Sequence, residues 1–218
     1  MRPRKKGCRL SFLVTAGGTR EYIDPVRFIS NASSGKMGYG LADAAAAAGH
    51  DVTLITAPVN LPSPKGVKIV EVESANDMFE AVKGRFDRCD ALIMAAAVSD
   101  YTPVRQAQLK IRKGKKEITL KLRPTVDILK WTGSHKRKGQ IVVGFALEDK
   151  NLRANARMKL IEKNLDMIIA NKLSAIGADS TSVWIKTGSR NWLLIKKRMK
   201  TAIARKIIRL SEKIYCSK

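Results

Sequence analysis

The fold is decided by residues 9–57, which read RLSFLVTAGGTREYIDPVRFISNASSGKMGYGLADAAAAAGHDVTLITA. Residues 9–16 form a short apolar run that ends at Gly17 and Gly18, a pattern typical of a buried strand followed by a tight turn. Residues 35–49 contain an alanine-rich run that stops at Gly49, which predicts a helix with a glycine at its end. Residues 50–57 then alternate as a second strand. The stretch therefore predicts a β–loop–α–β unit.

Strand and helix patterns continue to alternate along most of the chain. Ser74 is a favourable N-cap for the helix that follows it. The further predicted elements are strands at 68–72, 91–98, 140–146 and 166–170 and helices at 74–86, 125–131 and 151–164. Such alternation predicts an α/β fold, a Rossmann-like doubly wound and mostly parallel sheet with helices on both faces.

Two segments depart from this alternation. Residues 110–113 and 118–122 flank a charged turn at residues 114–116, which predicts a hairpin that projects from the sheet as a lid. Residues 183–186 and 192–195 predict a second hairpin that turns at Gly188, followed by a basic C-terminal helix at residues 196–218. The chain has no internal repeat and no linker, so we expect residues 1–218 to form a single domain with a basic N-terminal tail at residues 1–9.

The composition limits the class of protein. Of 218 residues, 42 are Lys or Arg and 19 are Asp or Glu, a formal net charge of +23 that is concentrated towards the two ends. The three cysteines are widely spaced, with neither a CxxC motif nor a histidine cluster, which favours neither a disulfide framework nor a zinc site. No apolar run approaches the about 20 residues of a membrane span. We therefore expect a soluble cytoplasmic protein with no membrane partner.

The positive charge also raises the alternative of a nucleic-acid-binding protein, because a basic surface is the electrostatic footprint of phosphate-backbone contact. However, no recognition motif is visible, and the aromatic residues, 6% of the chain, are not interleaved with basic ones. We therefore expect no nucleic-acid partner. A flavin-linked or NAD(P)-linked reductase would need the glycine fingerprint and the acidic ribose ligand, and the sequence lacks both.

Candidate site residues follow the predicted strands, because ligands of doubly wound sheets bind at the carboxyl ends of the strands. After the first strand, small residues let backbone amides approach an anion, although a purely structural turn is the alternative. Residues 30–38, SNASSGKMG, place small hydroxyl side chains, glycine and lysine before a helix, as in an anion site or a helix cap. The candidate phosphate-binding or substrate-binding residues here are Gly17, Gly18, Thr19, Ser33, Ser34, Gly35 and Lys36.

Six motifs occur in the order in which they are found in the phosphopantothenoylcysteine synthetase family. They are TAGGTREYIDPVRFISNASSGKMG (15–38), AAAVSDY (95–101), KIRK (110–113), VDIL (126–129), GFALE (144–148) and KNLDMIIAN (163–171). The chain resembles this family over residues 10–187. The resemblance implies a Rossmann-like fold, a homodimer, and a ligase that joins 4′-phosphopantothenate to cysteine in coenzyme A biosynthesis.

The reaction that the resemblance implies has two steps. The phosphopantothenate carboxylate attacks the α-phosphate of a nucleotide, giving an acyl-nucleotide and pyrophosphate, and the amine of cysteine then displaces the nucleoside monophosphate. Because AAAVSDY and KIRK are bacterial in type, we expect CTP as the co-substrate, with ATP as the alternative, and Mg²⁺ as the metal. A separate phosphopantothenoylcysteine decarboxylase is expected in the pathway.

The resemblance also implies roles for three residues. Lys110 is similar to the first lysine of the family's lid motif, and Asn31 is similar to the asparagine associated with the acyl-nucleotide; we take both as catalytic. A cation and a neutral amide suit a reaction that brings like charges together. Arg27 resembles the arginine that reaches the substrate phosphate, with an ion pair to Asp24 as the alternative. For Lys110 the alternative is a solvated, charged hairpin.

The other residues that the resemblance implies lie after the later strands and on the helix at residues 151–164. Asp100 is a candidate Mg²⁺ ligand, or else a turn cap. Lys159 and Lys163 share one face of the helix, with an apolar stripe of Ala154, Met158, Ile161 and Leu165, although Glu162 leaves a solvated face open. The predicted nucleotide contacts are Met94, Ala95, Ala96, Asp100, Lys110, Asp127, Ile128, Leu129, Lys130, Phe145, Lys159 and Lys163.

Overall fold

A computed structural model describes residues 9–188 and 190–218 of the chain. The strands are β1 (Ser11–Ala16), β2 (Arg20–Tyr22), β3 (Phe28–Ser30), β4 (Asp51–Thr56), β5 (Lys68–Glu71), β6 (Ala91–Met94), β7 (Tyr101–Pro103), β8 (Leu122–Pro124), β9 (Ile141–Leu147), β10 (Met167–Asn171), β11 (Ser180–Thr187) and β12 (Leu193–Met199). The helices are α1 (Lys36–Ala47), α2 (Ala75–Phe86), α3 (Ile128–His135), α4 (Leu152–Glu162) and α5 (Lys200–Ser217), with a 3₁₀ turn at Leu173–Ala175. The basic tail predicted at residues 1–9 lies outside the described residues except for Arg9.

Eight strands form one sheet in the order β12-β11-β10-β9-β6-β1-β4-β5. Six of them, from β10 to β5, run parallel, and β11 and β12 add an antiparallel edge. The predicted α/β, Rossmann-like, mostly parallel sheet is confirmed. From β1 the chain first extends the sheet through β4 and β5 and then returns to place β6 on the other side of β1. This reversal creates a crevice at the carboxyl ends of β1 and β6, where ligands of such sheets bind.

Apolar side chains bury both faces of the sheet. Helices α1 and α5 cover one face, where Phe12 and Leu41 are in the core, and α2, α3 and α4 cover the other, where Phe86 is fully buried. Burying such side chains stabilises the fold by about 1.5–3 kcal/mol each. Helix α5 buries Ile203 and Ile207, so this basic helix is an integral layer of the domain. No helix in residues 9–188 and 190–218 is long and apolar enough to cross a membrane.

The lid prediction is wrong in its pairing. Residues 110–113 and 118–122 do not form two paired strands; the ladder is instead between β7 and β8, with Tyr101 opposite Pro124 and Pro103 opposite Leu122. Residues 110–116 carry five basic side chains and have no apolar face that could pack. The ladder forms at the base of the projection, where Pro103 is buried, and residues 104–121 are the connection that projects from it.

Two further predictions differ from the structure. Residues 196–199 belong to β12, so the basic helix begins at Lys200. The predicted apolar stripe on α4 is also wrong, because Met158 and Ile161 are 56% and 66% exposed. The buried face is formed by Ala156 and Leu160, whose spacing of four places them on the same side of the helix.

Candidate functional site

A cavity of about 510 Å³ lies at the crevice between β1 and β6. Its walls come from the start of α1, the loop after β6, the start of α3, one face of α4 and the residues after β10. These walls bring together most of the predicted site, namely Asn31, Ser33, Ser34, Gly35, Lys36, Met94, Ala95, Ala96, Asp100, Asp127, Ile128, Leu129, Phe145, Lys159 and Lys163. Segments far apart in the sequence therefore converge on one concave surface.

The N-terminus of α1 forms one end of the cavity. Its N-cap, Gly35, has a left-handed backbone with φ of 72° and contributes no side-chain cap. A Cβ on Gly38 would lie 2.5 Å from the Cβ of Ala16, so only glycine lets this helix begin directly against the end of β1. Uncapped amides at the positive end of a helix dipole attract anions. The sequence prediction of an anion-binding segment therefore has a structural basis.

Asn31 lies in the wall and joins two loops. Its side-chain Nδ2 donates to the carbonyl oxygens of Ala97, at 3.2 Å, and Val98, at 3.1 Å. The same loop is held from β1, because the N–H of Ala96 donates to Thr15 Oγ1 at 3.1 Å. Both N–H donors of the Asn31 side chain are thus hydrogen-bonded to backbone carbonyls, which the sequence did not indicate.

Two lysines, Lys159 on α4 and Lys163 at its C-cap, line the cavity, and each is paired with a carboxylate from another segment. Lys159 Nζ lies 2.6 Å from Glu148 Oε1, and Lys163 Nζ lies 2.8 Å from Asp127 Oδ2. Burial raises the pKa of each carboxyl, but hydrogen bonds from the lysine and from a second donor, Lys130 N–H for Asp127 and Asn155 for Glu148, together with the lysine charge lower both pKa values below their ordinary range. Asp127 also caps α3 by accepting the N–H of Lys130 at 3.0 Å. The like charges on α4 are therefore compensated by neighbouring segments.

Sequence reasoning missed Lys200, which lies in the wall near Lys36. Its side chain is buried, and its Nζ donates to the carbonyl of Ala175 at 3.0 Å. The helical spacing of Ile203 and Ile207 could have indicated this residue. Lys200 lies three positions before Ile203, so the helical period places it on the same buried face. Asn171, the last residue of β10, also lines the cavity and could have been found as a polar side chain at a strand end.

Gly17, Gly18 and Thr19 are not in the walls of the cavity. A Cβ on Gly17 would lie 2.7 Å from the carbonyl oxygen of Ala57, and one on Gly18 would lie 2.5 Å from that of Asn31. Thr19 is fully buried, and its Oγ1 accepts the N–H of Ser99 at 2.9 Å. Close backbone packing accounts for these small residues, as the structural-turn alternative proposed, and a phosphate contact stays a prediction.

Arg27, Lys110 and Lys130 also lie outside the cavity walls. Arg27 Nη2 lies 2.8 Å from Asp24 Oδ2, which is the alternative considered for it, and also donates to the carbonyl of Ile111. Lys110, next to Ile111, is exposed on the projecting connection. In this conformation the structure does not bring Arg27 or Lys110 to the cavity.

Few of the described residues could bind a metal ion or act as a thiol nucleophile. No cluster of three or more His, Cys, Asp or Glu residues in the described part of the chain could hold a metal ion. The cavity wall holds the carboxylates of Asp100 and Asp127, of which Asp127 is paired with Lys163. Asp100 fits the way Mg²⁺ is bound through one or two carboxylates and substrate phosphates. Burial raises the pKa of the Cys89 thiol to about 12, so it is not a nucleophile at neutral pH.

Known proteins resemble this chain over nearly all of its length. Residues 8–214 match the family described as DNA/pantothenate metabolism flavoprotein C-terminal domain. The chain is 46% identical over 194 residues to the coenzyme A biosynthesis bifunctional protein CoaBC of Bacillus subtilis (strain 168), covering 86% of this chain and 48% of that protein. It is also 46% identical over 201 residues to a cysteine/cysteine sulfinic acid decarboxylase from an unknown prokaryotic organism, covering 90% and 56% respectively.

A solved structure is similar over the whole domain. The crystal structure of the C-terminal domain of the coenzyme A biosynthesis bifunctional protein CoaBC superposes with a TM-score of 0.84 and 37% sequence identity, covering 96% of this chain and 97% of that one. The chain spans about half the length of the curated relatives it matches. The similarity is therefore to one domain of those longer proteins.

Proposed function

Because the chain belongs to the family of the DNA/pantothenate metabolism flavoprotein C-terminal domain, we propose that it ligates 4′-phosphopantothenate to L-cysteine in coenzyme A biosynthesis. The observation that carries the proposal is the convergence of the wall residues from five of the six motifs on one cavity, together with an uncapped helix N-terminus. The match to a complete CoaBC C-terminal domain supports the same function.

The first step needs positive charge, because a carboxylate must attack a triphosphate. Four lysines line the cavity, and Lys159 and Lys163 are each held in place by an ion pair with a carboxylate. The amides at the start of α1 add donors for phosphate oxygens. Apolar walls from Leu129 and Phe145 provide a surface for the nucleoside. We propose CTP as the co-substrate, with ATP as the alternative.

In the second step we assign Asn31 to the acyl carbonyl. Its amide suits this role because it donates hydrogen bonds without titrating. In the structure both donors are engaged with Ala97 and Val98, so this role requires Nδ2 to exchange a protein carbonyl for the acyl oxygen. Lys110 assists the first step, which requires the connection at residues 104–121 to move over the cavity. Asp100 would hold Mg²⁺, which would neutralise phosphate charge when bound.

We also propose that the active form is a homodimer, in which Arg27 reaches the phosphate of a substrate in the partner's cavity. Arg27 is about half exposed and lies on the projecting segment between β2 and β3, outside its own cavity. Light scattering at the concentration of the assay tests this proposal. We expect the mass of two chains, whereas a fully active monomer would contradict it.

Pyrophosphate release tests the function. The protein is mixed with Mg²⁺, phosphopantothenate, cysteine and either CTP or ATP, and each component is omitted in turn. We expect release that depends on phosphopantothenate and is faster with CTP. Faster release with ATP would keep the ligase and overturn the choice of nucleotide. Absence of release with both nucleotides would overturn the proposed function.

A further inference from the structure

A second concave surface lies at the edge of the sheet, between α4 and the β11–β12 hairpin. It is an open groove of about 560 Å³, and none of the described residues lines both this groove and the cavity of the candidate site. Arg153 and Arg157 line the groove from α4, where a spacing of four places them on one face of the helix. Trp184 and Trp192 line it from the hairpin. The groove is therefore distinct from the proposed ligase site.

The two tryptophans lie at the surface of the domain. Both are partly buried, because they pack against the core on the α4 side of the sheet. The guanidinium carbon of Arg153 lies 5.0 Å from the centroid of the Trp184 ring, and Lys186 Nζ lies 5.8 Å from that of Trp192. Cations at such distances are attracted to the face of an aromatic ring. Each partly exposed ring thus lies beside a positive charge.

The protein does not compensate the positive charge of the groove. Within residues 9–188 and 190–218, no carboxylate lines it, and Arg153, Arg157 and Lys172 form no ion pair. Lys159 and Lys163 of the candidate cavity differ, since each is paired with a carboxylate. Like charges four positions apart on a helix destabilise it. A bound polyanion would relieve that repulsion.

Basic and aromatic side chains meet in this groove, although they are not interleaved along the sequence. They come from α4, from the end of β10 and from the hairpin. Proteins bind single-stranded nucleic acids with this combination of groups, in which cations contact the phosphates and bases stack on aromatic rings or on guanidinium planes. The lack of interleaving in the sequence therefore does not exclude a nucleic-acid partner.

We propose that this groove binds single-stranded nucleic acid. The bases stack at Trp184 and Trp192. The phosphates are held by Arg153, Arg157 and Lys172. The formal net charge of +23 adds an attraction that is independent of sequence. A duplex is a poorer ligand, because its bases are stacked on one another and do not reach the tryptophans. This binding goes beyond the proposed ligase activity and does not depend on it.

Fluorescence anisotropy of a labelled oligouridine of about 12 nucleotides, within the usual range of site sizes, measures the binding. Arg157→Gln and Arg209→Gln lower the net charge equally, but Arg209 is exposed on α5, which covers the opposite face of the sheet. We expect Arg157→Gln to bind several-fold more weakly and to reduce the slope of log K against log salt by about 0.7. Arg209→Gln should bind as the wild type does. Equal effects of the two variants, or no effect of either, would overturn the proposal.

Trp192→Ala and Trp192→Phe test the stacking. Loss of one stacked base should weaken binding about 10-fold in the alanine variant, and phenylalanine should retain most of the affinity. A duplex of the same length should bind the wild type more weakly than the single strand does. Wild-type affinity of the alanine variant, or tighter binding of the duplex, would contradict base stacking in the groove.

Competition distinguishes the groove from the candidate cavity and from a site for mononucleotides. CTP at the concentration of the ligase assay should leave the oligouridine bound, because the two surfaces share no lining residue. Displacement by CTP would place the binding in the cavity. Displacement by uridine monophosphate at concentrations similar to that of the oligouridine would make the groove a mononucleotide site. Either result would overturn the proposal, whereas the proposed ligase is tested separately by pyrophosphate release.

Discussion

Asp24 and Arg27 form an ion pair at the base of the lid, with 2.8 Å between Asp24 Oδ2 and Arg27 Nη2. The Asp24 side chain is fully buried, and its Oδ1 accepts the N–H groups of Val26 and Arg27, each at 2.9 Å. Both side chains also hold Ile111: Asp24 accepts its N–H at 3.1 Å, and Arg27 donates to its carbonyl. The pair therefore joins the β2–β3 segment to the connection that carries Lys110.

Asp24→Asn should release this connection. An amide cannot neutralise Arg27 and presents one acceptor oxygen in place of two, so Ile111 loses a partner. We expect trypsin to cleave within residues 104–121 several-fold faster than in the wild type, as measured by mass spectrometry of the first fragments. Asp43→Asn, at an exposed position on α1, is the matched control. Unchanged cleavage would show that the pair does not restrain the connection.

Lys110→Gln should slow the first chemical step. Loss of one donor to a developing charge typically costs about 100-fold or more in rate, so pyrophosphate release in a single turnover should fall by at least that factor. Lys113→Gln changes a basic residue of the same connection and is the control for its overall charge. A Lys110→Gln variant that releases pyrophosphate at the normal rate would remove Lys110 from the mechanism.

The ion pair between Asp127 and Lys163 predicts a dependence of stability on pH. The pKa of Asp127 in the folded protein is below the ordinary value of 3.8, so the carboxylate stabilises the fold above that value and loses the effect as the pH falls through the folded pKa. Asp127→Asn keeps an acceptor for the start of α3. We expect it to lower the free energy of unfolding by about 0.5 kcal/mol at pH 7.

Urea unfolding of the wild type and Asp127→Asn at several pH values measures this effect. The difference between the two proteins should be constant at pH values well above 3.8 and should shrink as the pH falls through the lowered pKa of Asp127 in the folded protein. A difference that stays the same at low pH would assign the cost to packing or capping, and not to the charge.

Local patterns predicted the sheet well, because its parallel strands are buried on both faces and alternate with amphipathic helices. The lid was predicted less well. Its charged residues indicated a hairpin, but the pairing lies at its base, where Pro103 packs. The short ribbon of β2 and β3 was not predicted, since its three-residue strands have no clear period.

Most of the cavity could be predicted, because strand ends and helix starts of a doubly wound sheet meet at one place. What could not be predicted were contacts between distant segments. The engagement of Asn31 with Ala97 and Val98 depends on where two loops meet, and the ion pair of Lys36 with Asp179 spans 143 positions of the chain. Likewise, the packing of Gly17 against Ala57 is visible only in three dimensions.

Asn31→Asp should separate the two steps of the proposed reaction. Aspartate loses both donors and brings a negative charge near the oxygen that becomes anionic when cysteine attacks. We expect pyrophosphate to form while a species that contains both phosphopantothenate and nucleoside monophosphate accumulates after quenching. Asn31→Ala loses the same two hydrogen bonds without the charge, and should accumulate less. Absence of pyrophosphate in the aspartate variant would place Asn31 in nucleotide binding or folding.

Transfer of an isotope tests the ligase mechanism most directly. Phosphopantothenate in which both carboxylate oxygens are oxygen-18 is incubated with the wild-type protein, CTP, Mg²⁺ and cysteine. The masses of the products are then measured by mass spectrometry. When the carboxylate attacks the α-phosphate and cysteine displaces the nucleotide, one labelled oxygen passes to CMP and one stays in 4′-phosphopantothenoylcysteine. We predict CMP with one heavy oxygen for each product molecule. Unlabelled CMP, or the absence of phosphopantothenoylcysteine, would contradict the mechanism proposed for this cavity.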